Sequence, residues 1–125
     1  MKLISTPDGP TPSGHYSQAV VYGGVVYVAG QFGRDPKDAD ADPGGAARQT
    51  RQALANVESI LAAAGSGLNC VIQMTIYVSD FGLWPEVNDA YAEAMGDHKP
   101  ARAVVPVGNF REPYVVEIVA IAALA

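Results

Sequence analysis

Hydrophobic and polar positions change their period along this chain, and the changes predict its elements. Tyr16–Tyr22 and Val25–Gln31 are runs of β-branched and aromatic residues separated by Gly23-Gly24. A glycine pair between two such runs signals a tight hairpin turn. From Ala46 to Ala64 the spacing shifts: Ala53, Val57, Ile60, Leu61 and Ala64 recur three and four apart, which puts one apolar stripe on a helix ending at Gly65. Cys70–Val78 reads as a strand. Pro85–Met95 reads as a second helix, with proline in the first turn and Val87, Tyr91 and Met95 on one stripe. Ala101–Val107 and Tyr114–Leu124 are two closing strands, joined by a loop containing Gly108, Asn109 and Pro113. Met1–Gly14, with three prolines and two glycines, is expected to be an irregular arm. Arg34–Gly45 carries four aspartates and is expected to be a loop.

The order β-β-α-β-α-β-β predicts an α+β fold in one domain over residues 1–125, with both helices on one face of the sheet. One strand does not fit a monomer easily. Val115–Leu124 is apolar on both of its alternating sets except at Glu117. Two helices cover one face only, so the second face is expected to be buried by a symmetric homo-oligomer.

Composition narrows the chemistry. The chain has 125 residues, 49% hydrophobic and 17% charged, with a formal charge of −5. That balance argues against a nucleic-acid partner, which requires a clustered basic face. The single cysteine, Cys70, excludes an internal disulfide and a cysteine-based zinc site; its apolar surroundings in sequence favour a buried thiol. No apolar run is long enough for a signal peptide or a membrane span, so a soluble cytoplasmic protein is expected. Asp38, Asp40 and Asp42 imitate the start of a calcium loop, but Pro43 and Gln49 occupy positions that need glycine and glutamate. A solvated loop is the better reading, and no metal is expected.

Two charged residues stand in apolar strands. Glu117 is a carboxylate that burial would make a proton carrier near neutrality, or else a rim residue or the partner of a structural arginine. Arg102 opens its strand and suits a bidentate clamp on a substrate carboxylate, or else an internal pair with Glu117. Both alternatives stay open at this level.

Several segments together carry the motifs of one known family. Pro12-Ser13-Gly14-His15-Tyr16-Ser17-Gln18-Ala19 resembles its P-x-G-x-Y-S-Q-A opening, and Ala29-Gly30-Gln31 resembles S-G-Q. Gln49–Asn56 resembles Q-T-R-Q-x-L-x-N, and Ala63-Ala64-Gly65 matches A-A-G. Val87–Tyr91 matches V-N-x-x-Y, Pro100-Ala101-Arg102 matches P-A-R, and Val116-Glu117-Ile118 matches V-E-I. These motifs resemble the RidA (YjgF/YER/UK) family of enamine/imine deaminases, and the resemblance implies a chorismate-mutase-like fold with a mixed sheet, and a homotrimer with clefts between subunits. It implies that Arg102 binds the substrate carboxylate and that Glu117 positions or activates the attacking water. Tyr16 would line the cleft from the neighbouring chain, Gly30 would offer backbone contact, and Asn88 would support. The implied reaction hydrolyses imines of the 2-aminoacrylate and 2-aminocrotonate type to 2-keto acids and ammonia, with no cofactor.

This chain also departs from the family pattern. Ala29 replaces serine, Val104 stands where many members carry cysteine, and Val119 replaces a second glutamate. Phe32-Gly33 replaces Ile-Pro, and His15 adds a titratable group before Tyr16. These changes leave two rival readings: a non-catalytic binder of small carboxylates, and a deaminase of a dedicated pathway with another substrate.

Overall fold

The computed structural model describes residues 1–125. Six strands form one mixed sheet in the order β1-β2-β3-β6-β4-β5. They are β1 (Lys2–Ile4), β2 (Ala19–Tyr22), β3 (Val25–Phe32), β4 (Val71–Val78), β5 (Ala101–Pro106) and β6 (Val116–Ala123). The helices are α1 (Ala46–Ala63) and α2 (Trp84–Met95). Only β4 and β5 run parallel, and α2 is their crossover. The fold is α+β with one strand more than the pattern predicts, in the order β-β-β-α-β-α-β-β.

The extra strand lies in the segment expected to be an irregular arm. Lys2, Leu3 and Ile4 pair with Val21, Val20 and Ala19, and Ile4 is only 4% exposed. Three residues are too few to show a period, so this strand is held by its partner β2 rather than announced by its own pattern. At Gly23-Gly24 the expected hairpin turn forms, with φ of 59° and 77°. Positive φ at both central residues is the requirement of a type I′ turn, which matches strand twist and which glycine meets without strain.

The core lies between the helices and one face of the sheet. Val26 and Val28 of β3, Met74, Ile76 and Val78 of β4, and Val116, Ile118, Ala120 and Ala122 of β6 are buried in one cluster with the apolar stripe of α1. On α2, Val87, Tyr91 and Met95 complete the same cluster. The other face has no cover within the chain, and Glu117, Val119 and Ile121 there are half-buried while Tyr27 is exposed. Val115–Leu124 is thus fully covered on one face only.

Sheet and helix approach closely at Gly33, just past β3. A Cβ there would lie 2.6 Å from Gln49 Cα and 2.7 Å from its carbonyl oxygen. Both obstacles are backbone of α1, so the helix itself must move. Gly33→Ala is expected to cost about 1–3 kcal/mol of stability. Urea denaturation tests this: the midpoint should fall at unchanged slope, and an unchanged midpoint would show that α1 yields freely.

Candidate functional site

Glu117 occupies the uncovered face of β6. Its neighbours across the sheet are Phe32 on β3 and Tyr77 on β4. Phe32 is fixed in turn by Phe110, edge-on at 5.5 Å, and by Tyr114 at 5.1 Å. The carboxylate therefore stands in an aromatic wall between two cavities. The larger, about 360 Å³, is bordered by Thr11, Ser13, Tyr16, Gly30, Arg34 and Glu117 among others. The other, about 290 Å³, lies beside Tyr77 and the loop from Val107 to Phe110. Burial pushes the Glu117 carboxyl above its ordinary value, because the charged form loses hydration without a compensating cation.

Local irregularity makes room for this carboxylate. The β3–β6 register shifts between Val28 and Gln31, so β3 bulges at Ala29-Gly30. A Cβ on Gly30 would sit 2.7 Å from Glu117 Oε2. The glycine thus lets the carboxylate lie against the β3 backbone, and any side chain at position 30 would displace it. Tyr16, 49% exposed, accepts a 3.2 Å hydrogen bond at its hydroxyl oxygen from the Ser13 amide, which leaves the phenolic proton free to donate.

Three buried amide side chains hold the loops around the cavity. Gln18 donates to the carbonyls of Thr6 and Pro10 and accepts from the Thr6 amide at 2.7 Å. Gln49 donates to the Gly44 and Pro113 carbonyls and accepts from the Val115 amide. Asn56 donates to the carbonyls of Phe32 and Arg34 at 3.1 and 2.8 Å. These three amides are therefore structural; they pin backbone that would otherwise bury unpaired carbonyls.

Arg102 and Asn88 lie elsewhere. Arg102 pairs across β5–β4 with Met74, whose side chain is in the core, whereas Glu117 pairs with Tyr77. Directly paired residues share a face, and positions 74 and 77 of one strand face opposite ways. Arg102 thus projects to the helix side and Glu117 to the uncovered side. The Arg102 guanidinium donates to Asn88 Oδ1 at 2.9 Å and sits 4.9 Å from the centre of the Tyr91 ring. An internal Arg102–Glu117 pair is excluded within the chain. Within one chain Tyr16 shares a cavity with Glu117 and Gly30, while Arg102 and Asn88 form a separate group. Tyr91 belongs to that group. Burial raises the pKa of its hydroxyl, the Arg102 charge partly opposes this, and its oxygen has no hydrogen-bond partner.

The remaining candidates fall into place. Ala29 borders the Glu117 cavity, so the hydroxyl of the usual serine is lost there. His15 is exposed and outside the residues lining that cavity. Val104 packs against the core on the Arg102 side, and Val119 follows Glu117 on the uncovered face. Asp35, Asp38 and Asp42 accept hydrogen bonds from amides two residues on, as turn-forming aspartates do. Cys70 is half-exposed rather than buried, because the chain enters β4 through a 3-10 turn at Leu68–Cys70 and the thiol precedes the strand. Pattern reading passed over Thr11, Ser13 and Arg34; only the position of Ser13 inside the opening motif offered a signal.

The raised Glu117 pKa has a consequence for stability. Between the ordinary value of 4.5 and the raised one, the folded chain binds more protons than the unfolded chain, so stability falls as pH rises through that window. Glu117→Gln lacks this penalty. Its urea midpoint is expected to gain on the wild type as pH rises from about 4 through the raised value. A difference independent of pH would contradict the burial of the charge.

Comparison with known proteins now bears on the site. The family model described as Endoribonuclease L-PSP matches residues 6–124. A RutC family protein of Pyrococcus horikoshii is 42% identical over 97% of this chain and 96% of its own length. The 2-iminobutanoate/2-iminopropanoate deaminase of Bos taurus is 40% identical over 97% of this chain and 88% of its own. The chain belongs to the RidA family. Among solved structures, RidA from the Antarctic bacterium Psychrobacter sp. superposes with a TM-score of 0.93 at 33% identity, covering 99% of this chain and 100% of that one. E. coli TdcF with bound serine gives 0.93 at 30% identity over the whole of both chains. A RidA-family chain with relatives named imine deaminases supports a general deaminase activity on small imino or enamine substrates.

Proposed function

We propose that this chain hydrolyses 2-imino acids to 2-keto acids and ammonia, using Glu117 of one protomer and Arg102 of the next. The observation that carries this reading is the placement of the two charges on opposite faces of one sheet. Each lacks what the other supplies: Glu117 has a cavity and no carboxylate clamp, and Arg102 has a held guanidinium and no cavity. A homotrimer in which the β5–α2 edge of one copy rests on the uncovered face of the next brings them together. Such head-to-tail contacts close into rings, and they bury the half-exposed Val119, Ile121 and Tyr27.

Arg102 then binds the substrate carboxylate with two parallel hydrogen bonds, its plane held by Asn88 and Tyr91. Glu117 takes a proton from a water that adds to the imine carbon. The same carboxyl passes that proton to the nitrogen, giving a carbinolamine, then takes the proton of the new hydroxyl and delivers it to nitrogen as the carbon–nitrogen bond breaks, so that the keto acid and ammonia leave. A carboxyl with a raised pKa suits both halves, since it gives and accepts protons closer to neutrality. Tyr16 and the Gly30 backbone line the place where the imine sits.

The matching family model is described as an endoribonuclease. A net charge of −5 and a cavity with one arginine favour a small acid over a phosphate backbone. The test adds purified protein to a threonine or serine dehydratase reaction and times keto acid formation against an imine scavenger. Acceleration by the wild type and its loss in Arg102→Ala are expected. No acceleration, or full activity in Arg102→Ala, would overturn the reading, and binding of 2-ketobutyrate without turnover would replace it with a ligand-binding role.

A further inference from the structure

We propose that the Glu117 cavity takes the imines of dicarboxylic amino acids, with Arg34 holding the distal carboxylate. This rests on the imine-hydrolase reading and names its substrate class. Among the residues bordering the cavity, Arg34 is the one cation and Glu117 the one anion. Phe32, the partner of Glu117 across β3–β6, precedes Arg34 by two residues, so one short stretch of chain supplies both wall and charge. The Arg34 backbone is pinned through its carbonyl by Asn56 at 2.8 Å, which fixes where the half-buried side chain starts.

The cavity is also suited to an anion at that end. Thr11, Ser13 and Tyr16 border it with hydroxyls, and the Tyr16 oxygen already accepts from the Ser13 amide, leaving its proton to donate outward. Burial acts on Glu117 without an offsetting cation, so Arg34 is not consumed by a pair with it. An imine whose side chain ends in methyl would leave the guanidinium unmatched, and a site with a polar group in place discriminates against the ligand that lacks its partner.

The substrates are thus four- and five-carbon imino diacids. Water adds across the carbon–nitrogen double bond, ammonia leaves, and a 2-oxo diacid is formed. A reaction that oxidises an acidic amino acid to its imine would have to supply them.

The experiment generates imines from L-aspartate, L-glutamate and L-2-aminobutyrate with flavin amino-acid oxidases and catalase, and follows loss of the semicarbazide adduct. The diacid imines are expected to be hydrolysed at least as efficiently as 2-iminobutanoate. Arg34→Leu should lower the diacid-to-monoacid ratio of kcat/KM about tenfold. Arg51→Leu removes the same charge from an exposed position of α1 and should leave the ratio unchanged. Turnover of 2-iminobutanoate without turnover of the diacids, or an equal loss on both in Arg34→Leu, would overturn the proposal. If neither imine is hydrolysed the deaminase reading fails, and the subsite is then decided by calorimetry. Tighter binding of 2-oxoglutarate than of 2-oxobutanoate, abolished in Arg34→Leu, would uphold the subsite; equal binding would reject it.

Discussion

Replacing Glu117 by glutamine is expected to lower kcat for imine hydrolysis by about 10²–10⁴-fold, the range of a lost general acid–base group. The substitution preserves shape, so the Gly30 backbone still accommodates the side chain and KM should change little. What disappears is the carboxylate that takes a proton from water and returns it to nitrogen. Single-turnover rates measured with a scavenger present read this directly. A loss in KM alone would make Glu117 a binding residue, and unchanged kinetics would remove it from the mechanism.

Arg102→Ala should act on a different parameter. Two charge-assisted hydrogen bonds to the substrate carboxylate are lost, so kcat/KM is expected to fall about 10²–10³-fold. Lysine should restore little of this. Asn88 Oδ1 at 2.9 Å and the Tyr91 ring at 4.9 Å hold a planar guanidinium, and an ammonium neither stacks in that way nor forks to two oxygens. Substantial rescue by Arg102→Lys would mean that only charge matters at this position.

Much of the fold is legible in the chain's own pattern. The stripe of Ala53, Val57, Ile60 and Leu61 marks α1, and Gly23-Gly24 marks its turn, because both depend on neighbours in sequence. Strand β1 is not legible, since three residues gain their structure from pairing with Ala19–Val21. The same limit applies to the site. Glu117 is conspicuous as a charge in an apolar strand, and Arg102 nearly so. Whether they face each other depends on which strands are neighbours and in what register, and no local pattern encodes that. Gly30 is similar: its need follows from a carboxylate on another strand 2.7 Å from where its Cβ would be. Arg34 looks like any arginine opening a polar loop until the chain folds it beside Glu117.

The motif Gln49–Asn56 illustrates the converse. Its resemblance to a family pattern is plain, yet its two buried amides are taken up by backbone. Gln49 and Asn56 are buried and spend their hydrogen bonds on the carbonyls and amides of the loops that frame the cavity.

The central claim, that one site is built from two protomers, is tested by mixing inactive subunits. Arg102→Ala and Glu117→Gln chains carrying different tags are co-expressed in equal amounts, and assemblies holding both tags are isolated. Each variant alone should be inactive, whereas every head-to-tail trimer holding both kinds of chain has one site in three with an intact Arg102 and an intact Glu117 from adjacent copies. Imine hydrolysis at about a third of the wild-type rate is the predicted result. Mixed assemblies as inactive as the parents would contradict it.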